Sequence, residues 1–203
     1  MKNTILIVLA LFSLSFPLQS QDDKEPISTL YMNELHLGFF HFVNGTFHIE
    51  YERYISENKS FLISGELTLV KDDYREALGG QGEIQYRYYL MNRPFTGYHF
   101  GITGIYAAPY LFYGYLDQTE YEALYSDNQW HDEYGWYSKT GTGVLIGMKL
   151  SVTEQLMLDV GFGGGLRYLL NETQADRSGE ITVFDQSYTG IAPRGNFTLG
   201  IKF

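Results

Sequence analysis

From Glu34 to Phe203 apolar residues recur at every second position, the spacing at which successive side chains of a strand fall on opposite faces. Eight segments carry the alternation, at about 34 to 43, 46 to 55, 60 to 71, 81 to 91, 97 to 113, 136 to 152, 156 to 170 and 189 to 203. In the seventh, Leu156, Leu158, Val160, Phe162, Leu166, Tyr168 and Leu170 share one face, while Met157, Asp159, Gly161, Gly163, Gly165, Arg167 and Leu169 share the other. The fourth sets Ile84, Tyr86, Tyr88 and Leu90 against Glu83, Gln85, Arg87 and Tyr89. The sixth sets Val144, Ile146, Met148 and Leu150 against Gly143, Leu145, Gly147, Lys149 and Ser151, and the last sets Phe197, Leu199, Ile201 and Phe203 against Asn196, Thr198, Gly200 and Lys202. The expected fold class is therefore all-β, an eight-stranded antiparallel up-and-down barrel.

Alternation alone fits two such barrels, a soluble one with the apolar face inside and a transmembrane one with that face in lipid. The polar face decides between them. It holds Gly101, Gly141, Gly143, Gly147, Gly161, Gly163, Gly165 and Gly200, which on a water-facing sheet weaken the strands to no advantage. Inside a narrow barrel, missing side chains leave room for long neighbours. The same phase supplies those neighbours, the acids Glu50, Glu52, Glu66, Glu83 and Asp159 and the bases Arg87, Lys149, Arg167, Arg194 and Lys202. Such a set can neutralise itself as a lumen charge network, and in eight strands side chains just fill the interior, so it reads as a plug. On that account Arg167→Ala destabilises the barrel and the loop change Glu122→Ala does not.

The apolar face is nearly free of charge within the strands. Arg53, the exception, lies near a strand end, where a long side chain snorkels to headgroups. Tyr54, Tyr88, Phe95, Tyr98, Tyr110, Phe112, Tyr134 and Trp136 also collect near strand ends, as interfacial girdles would. Connections at about 56 to 59, 91 to 97 and 153 to 155 would be short periplasmic turns, and those at about 72 to 80, 114 to 135 and 171 to 188 long outer loops. Asn44-Gly45-Thr46 breaks this rule by being short. It leaves the phase of strand one open: a two-residue turn puts Phe40 and Phe42 on the face of Phe47, and a three-residue turn puts Leu35, Leu37 and Phe39 there.

Residues 1 to 20 open with Lys2, run apolar from Ile5 to Leu14 and end in Pro17-Leu18-Gln19-Ser20, the pattern of a secretory signal peptide, cut after Ser20 or, in competition, after Ser15. The run is shorter than the ~20 residues of a spanning helix. Residues 21 to 33 would form a short periplasmic segment and 34 to 203 the barrel. With 24 acidic against 14 basic residues and a net charge of -10, the chain has no basic surface for nucleic acid. Without cysteine it can have no disulfide, thiolate metal site, cysteine nucleophile or lipoprotein anchor.

The chain resembles the small eight-stranded outer-membrane β-barrel proteins of Gram-negative bacteria, most closely the Bacteroidota outer-membrane barrel families. The resemblance covers about 34 to 203. It is carried by terminal Phe203 behind Phe197, Leu199 and Ile201, and by the order of Phe47-His48-Ile49-Glu50-Tyr51-Glu52-Arg53, Gly82 to Tyr89, Gly141 to Gly147 and Asp159 to Gly165. It implies outer-membrane location, Phe197, Leu199, Ile201 and Phe203 as the signal read by the barrel-insertion machinery, periplasmic chaperones during biogenesis, and contact with lipid and lipopolysaccharide. It implies no agreed activity.

No catalytic signature stands out. The glycines at 161 to 165 lack the third glycine of a dinucleotide loop, since position 166 is Leu, and no helix pattern follows. Asn44-Gly45-Thr46, Asn171-Glu172-Thr173 and Asn196-Phe197-Thr198 match a glycosylation pattern by coincidence in a bacterial barrel. His48 with Glu50, His99 and His131 are the histidines a lipid-acting hydrolase or acyltransferase could use, but no serine has a partner that spacing reveals. No cofactor and no metal site are expected. Asp127, Asp132 and Glu133, in an acidic outer loop with Asp117, Glu120, Glu122 and His131, are the weak metal candidates, and a solvated anionic loop is the simpler reading.

The expected role is structural or adhesive. An extracellular ligand would meet Tyr121, Tyr125, Trp130, Tyr134 and Trp136 in the 114 to 135 loop, where aromatics supply contact area, unless they merely extend a hairpin above the membrane. A lipid-A-modifying enzyme, a narrow small-solute channel and a soluble periplasmic ligand-binding barrel are the alternatives.

Overall fold

The computed structural model describes residues 33–43, 45–56, 58–71, 75–92, 101–123, 130–172 and 189–203. The expected signal segment 1 to 20, and Tyr125, Asp127, Phe95, Tyr98 and His99, lie outside them. Eight strands run β1 (Asn33–Leu37), β2 (Thr46–Ser56), β3 (Lys59–Lys71), β4 (Arg75–Asn92), β5 (Gly101–Ala123), β6 (Trp130–Ser151), β7 (Leu156–Glu172) and β8 (Gly190–Lys202). Each pairs with its chain neighbours, and β8 returns to β1 to close the barrel. All eight ladders are antiparallel.

The alternation fixes which way each strand faces. Phe162 and Ile146 stand outward at 71% and 63% exposure, and Ile63, Leu90, Leu111, Val144 and Ile191 belong to the same outer band. Arg87, Lys149, Glu52 and Asp159 point inward and are at most 1% exposed. Arg53 lies on the outer face, exposed, near the end of β2.

β1 differs from the expected strand of 34 to 43. It ends at Leu37, where the Gly38 amide donates to the His48 carbonyl at 3.0 Å, and Phe39–Val43 forms one helical turn, α1. Phe39 and Phe42, three residues apart on the turn, both face out, and Phe42 meets Phe47 edge-on at 5.7 Å. A short apolar run such as Phe39-Phe40-His41-Phe42-Val43 carries no period that separates strand from helix. Gly45, with φ of +68°, closes the turn into β2. Within β1, Glu34 and His36 face in and Leu35 and Leu37 face out, which settles the open phase.

The aromatic assignments need correction as well. Tyr54, Tyr110 and Phe112 do not join an outer girdle; they are buried in the interior, with Tyr89 and Tyr106. β5 brings in Tyr106, Ala108, Tyr110 and Phe112, and β6 meets those three rings with glycines, in the pairs Tyr106↔Gly147, Tyr110↔Gly143 and Phe112↔Gly141.

The loops contract for a similar reason. β5 and β6 have 23 and 22 residues, about twice the 9–11 that a tilted strand needs to cross a bilayer. Their ladder continues to Ala123↔Trp130, so the expected loop at 114 to 135 is mostly paired backbone. β4 likewise begins at Arg75, inside the expected loop of 72 to 80.

Candidate functional site

The interior divides into two halves. Toward the end that holds Asn33 and Phe203, whose backbones bond each other, the lumen is packed solid. Arg87 is its centre. Nη1 donates to Glu52 Oε2 at 2.9 Å and to Asp159, Nε donates to Gln85 Oε1 at 2.9 Å, and the guanidinium lies 4.4 Å from the Tyr106 ring centre. Lys149 donates to Glu34, to Glu52 Oε2 at 2.6 Å and to the Tyr54 hydroxyl at 3.0 Å. The Tyr89 and Tyr106 hydroxyls donate to Glu52 Oε1 and Asp159 Oδ1 at 2.5 and 2.7 Å, and Ser60 also donates to Glu52. Every carboxylate here thus accepts charge-assisted bonds, the condition under which buried ions are tolerated.

Toward the hairpin end the packing opens. A cavity of about 260 Å³ is lined by His41, Glu66, Gln81, Tyr110, Phe112, Lys139, Arg167 and Arg194. A second, of about 120 Å³, shares His41, Glu66, Gln81 and Lys139 and adds Thr46, Thr68 and Tyr115. Arg194 pairs with Glu83 and lies over Tyr110, 4.9 Å from the ring centre. The halves also differ in charge. The packed half holds Glu34, Glu50, Glu52 and Asp159 with Arg87 and Lys149, and the open half holds Glu66 and Glu83 with Lys139, Arg167 and Arg194.

His48 bridges the two halves. Its Nε2 lies 2.9 Å from Glu50 Oε1 and its Nδ1 3.0 Å from Glu66 Oε1. Glu50 in turn accepts from Asn196 at 3.0 Å and Thr198 at 3.4 Å, and it lies 4.0 Å from Arg87 Nη2. His41 on α1 stacks on His48 with ring centres 4.4 Å apart and planes at 13°.

Of the residues expected in one lumen network, Glu50, Glu52, Arg87, Lys149 and Asp159 meet in the packed half, while Glu66, Arg167 and Arg194 line the cavity and Glu83 pairs with Arg194. Lys202 stands at the terminal rim, donating to Ser151 at 3.2 Å. Glu34, His36, Tyr54 and Tyr106 were not expected in the plug from the sequence. Glu34 and His36 sit in the strand whose phase was open, Tyr54 faces in where an outer position was expected, and Gln85 and Tyr89 keep the face that the alternation gave them with Arg87. In the β5–β6 hairpin, Tyr121 pairs with Asp132, Glu120 with Glu133, Ala123 with Trp130 and Thr119 with Tyr134. Trp136 packs on Tyr115 with ring centres 6.2 Å apart, next to the start of the acidic stretch at Asp117. Phe197 and Leu199 are half-buried, and Ile201 and Phe203 exposed, on the outer face of β8.

No family model and no curated protein sequence matches the chain. Among solved structures it is similar to the N-terminal β-barrel domain of Pseudomonas aeruginosa OprF, at 14% identity over 84% of this chain and 96% of that one, with a TM-score of 0.36. It is also similar to Ail, the attachment invasion locus protein of Yersinia pestis, at 8% identity over 84% of this chain and 95% of that one, with a TM-score of 0.40. Likenesses this distant transfer no function, and the barrel rests on the chain's own strand pairing.

Proposed function

We propose that the chain is an integral outer-membrane β-barrel, exported by a signal peptide cut after Ser20, with a plugged lumen and a structural or adhesive role. One observation carries this reading: the closed barrel turns large apolar side chains outward while the ion pairs of Arg87 and Lys149 are buried within. In water that arrangement exposes an apolar band where soluble proteins keep such patches small. In a bilayer it is the stable one, because lipid takes the apolar face and the closed ladder leaves no strand edge.

The acidic, tyrosine-rich β5–β6 hairpin would stand above the membrane as the surface that meets lipopolysaccharide cations or an extracellular ligand. Insertion machinery and periplasmic chaperones would act on the chain only during assembly, and kinship with the Bacteroidota barrels belongs to this proposal too. No serine–histidine pair in the lumen favours the enzyme reading among the described residues.

Two measurements test the proposal together. Unheated protein should migrate differently from boiled protein on detergent gels, and proteases added to intact cells should cut within 124 to 129 and 173 to 188 but not within 152 to 155. Release of the folded chain in the soluble periplasmic fraction would refute it.

A further inference from the structure

Ring nitrogens of His41 and His48 and a carboxylate oxygen of Glu66 lie within 4.8 Å of one another. We infer that these three side chains form a binding site for a divalent transition ion of the zinc or copper type, at the floor of the lumen cavities. The inference goes beyond the proposed role and needs only the folded barrel.

Two imidazoles and one carboxylate are a donor set that suits zinc or copper, whereas calcium and magnesium require mostly oxygen. The two separations to Glu66 are close to what an ion at about 2 Å from each donor imposes. His48 Nδ1 is 3.0 Å and His41 Nε2 3.9 Å from the same Glu66 oxygen. His48 is already oriented for the task. Its Nε2 is held by Glu50, itself held by Asn196 and Thr198, so that Nδ1 is the nitrogen directed at Glu66. A carboxylate behind a ligating histidine is the usual support of such sites.

His41 is the movable ligand. Its Nδ1 is buried without a hydrogen-bond partner, so the ring has no bond there to give up when it turns. Two nearly parallel rings cannot both direct in-plane lone pairs at one ion, so capture tilts His41 out of its stack on His48. An entry path exists, since His41 and Glu66 line both cavities and the wider is about 260 Å³.

Two other groupings of acids and histidines in the lumen lack these properties. In Glu34, His36 and Glu52, and in His36, Glu50 and Asp159, every member is buried. Lys149 or Arg87 already bonds to Glu34, Glu52 and Asp159, so an ion would meet a fixed cation and no path.

The test is isothermal titration of the barrel, folded in detergent micelles, with zinc chloride. One ion per barrel should bind, and His41→Ala, His48→Ala and Glu66→Gln should each weaken it by at least about tenfold. The double change Asp132→Ala with Glu133→Ala, in the acidic hairpin, should leave it unaltered. His41 is on the one-turn helix and Glu66 lines a cavity, so these two variants remain informative if His48→Ala misfolds. A flat titration, or binding that His41→Ala and Glu66→Gln leave unchanged, overturns the site.

Discussion

Tyr106 stands directly across the β5–β6 ladder from Gly147, and its ring fills the space a side chain at 147 would need: a Cβ there would come within 2.3 Å of the ring. The ring cannot easily yield. Its hydroxyl is bonded to Asp159 at 2.7 Å and Arg87 lies over its face.

Gly147→Ala should therefore destabilise the barrel by about 1–3 kcal/mol, the usual cost of overpacking. Urea midpoints in detergent or lipid would measure it. The loss should shrink in a Tyr106→Leu background, where the ring is gone, and additive effects of the two changes would remove this account of the glycines.

Arg87→Ala leaves Asp159 without its cation and Glu52 with Lys149 alone in a sealed interior, and should cost about 3–5 kcal/mol. Lys71→Ala, which breaks only an exposed pair with Glu76, should leave the urea midpoint where it was. Arg87→Lys should recover little, because a single ammonium cannot bond Glu52, Asp159 and Gln85 as the planar fork does. Equal midpoints for the alanine variants at 87 and 71 would mean that the plug contributes nothing. Arg167, the position that the sequence singled out for this experiment, lines the open cavity and should lose less.

Where an alternation was long, the sequence disclosed the fold. β7 reads off its own seventeen residues because the apolar residues from Leu156 to Leu170 keep one phase, interrupted only by Gly164. β5 was obscure for a physical reason. Its inner face carries Tyr106, Tyr110 and Phe112 and its outer face Leu111, Tyr113 and Tyr115, so both faces are apolar or aromatic and alternation loses its contrast. The partners that admit those inner rings are glycines on β6, a relationship of register that appears only once two strands are paired. The charged plug was legible as a set of like-phased ions, but its division into a packed half and an open half was not. That division follows from tyrosines filling one end and from β1 stopping at Leu37, with His41 turned onto His48.

Phe162 sits mid-strand on the outer face of β7, so the solvent that surrounds it decides what a charge does there. Phe162→Arg should cost about 2–4 kcal/mol for folding into lipid vesicles, the penalty near a bilayer midplane. In a soluble barrel the same change at an exposed position would be close to neutral. Folding yields that stay equal across vesicle titrations would return the outer band to water.

Neither cavity is lined by any member of the Arg87–Lys149 plug, so the open half ends blind against the packed one. An ion entering from the hairpin end would have to displace Arg87, Lys149 and the tyrosines around them, each bonded to a buried carboxylate. Purified barrel in a planar bilayer should therefore show no steady current steps. Truncating Arg87 and Tyr106 together to alanine removes the two largest side chains at the centre of the plug and should open small cation currents, since the carboxylates of Glu52 and Asp159 remain. Regular conductance steps from the unaltered chain would show that the plug moves, and the role of a narrow channel would then replace the structural one.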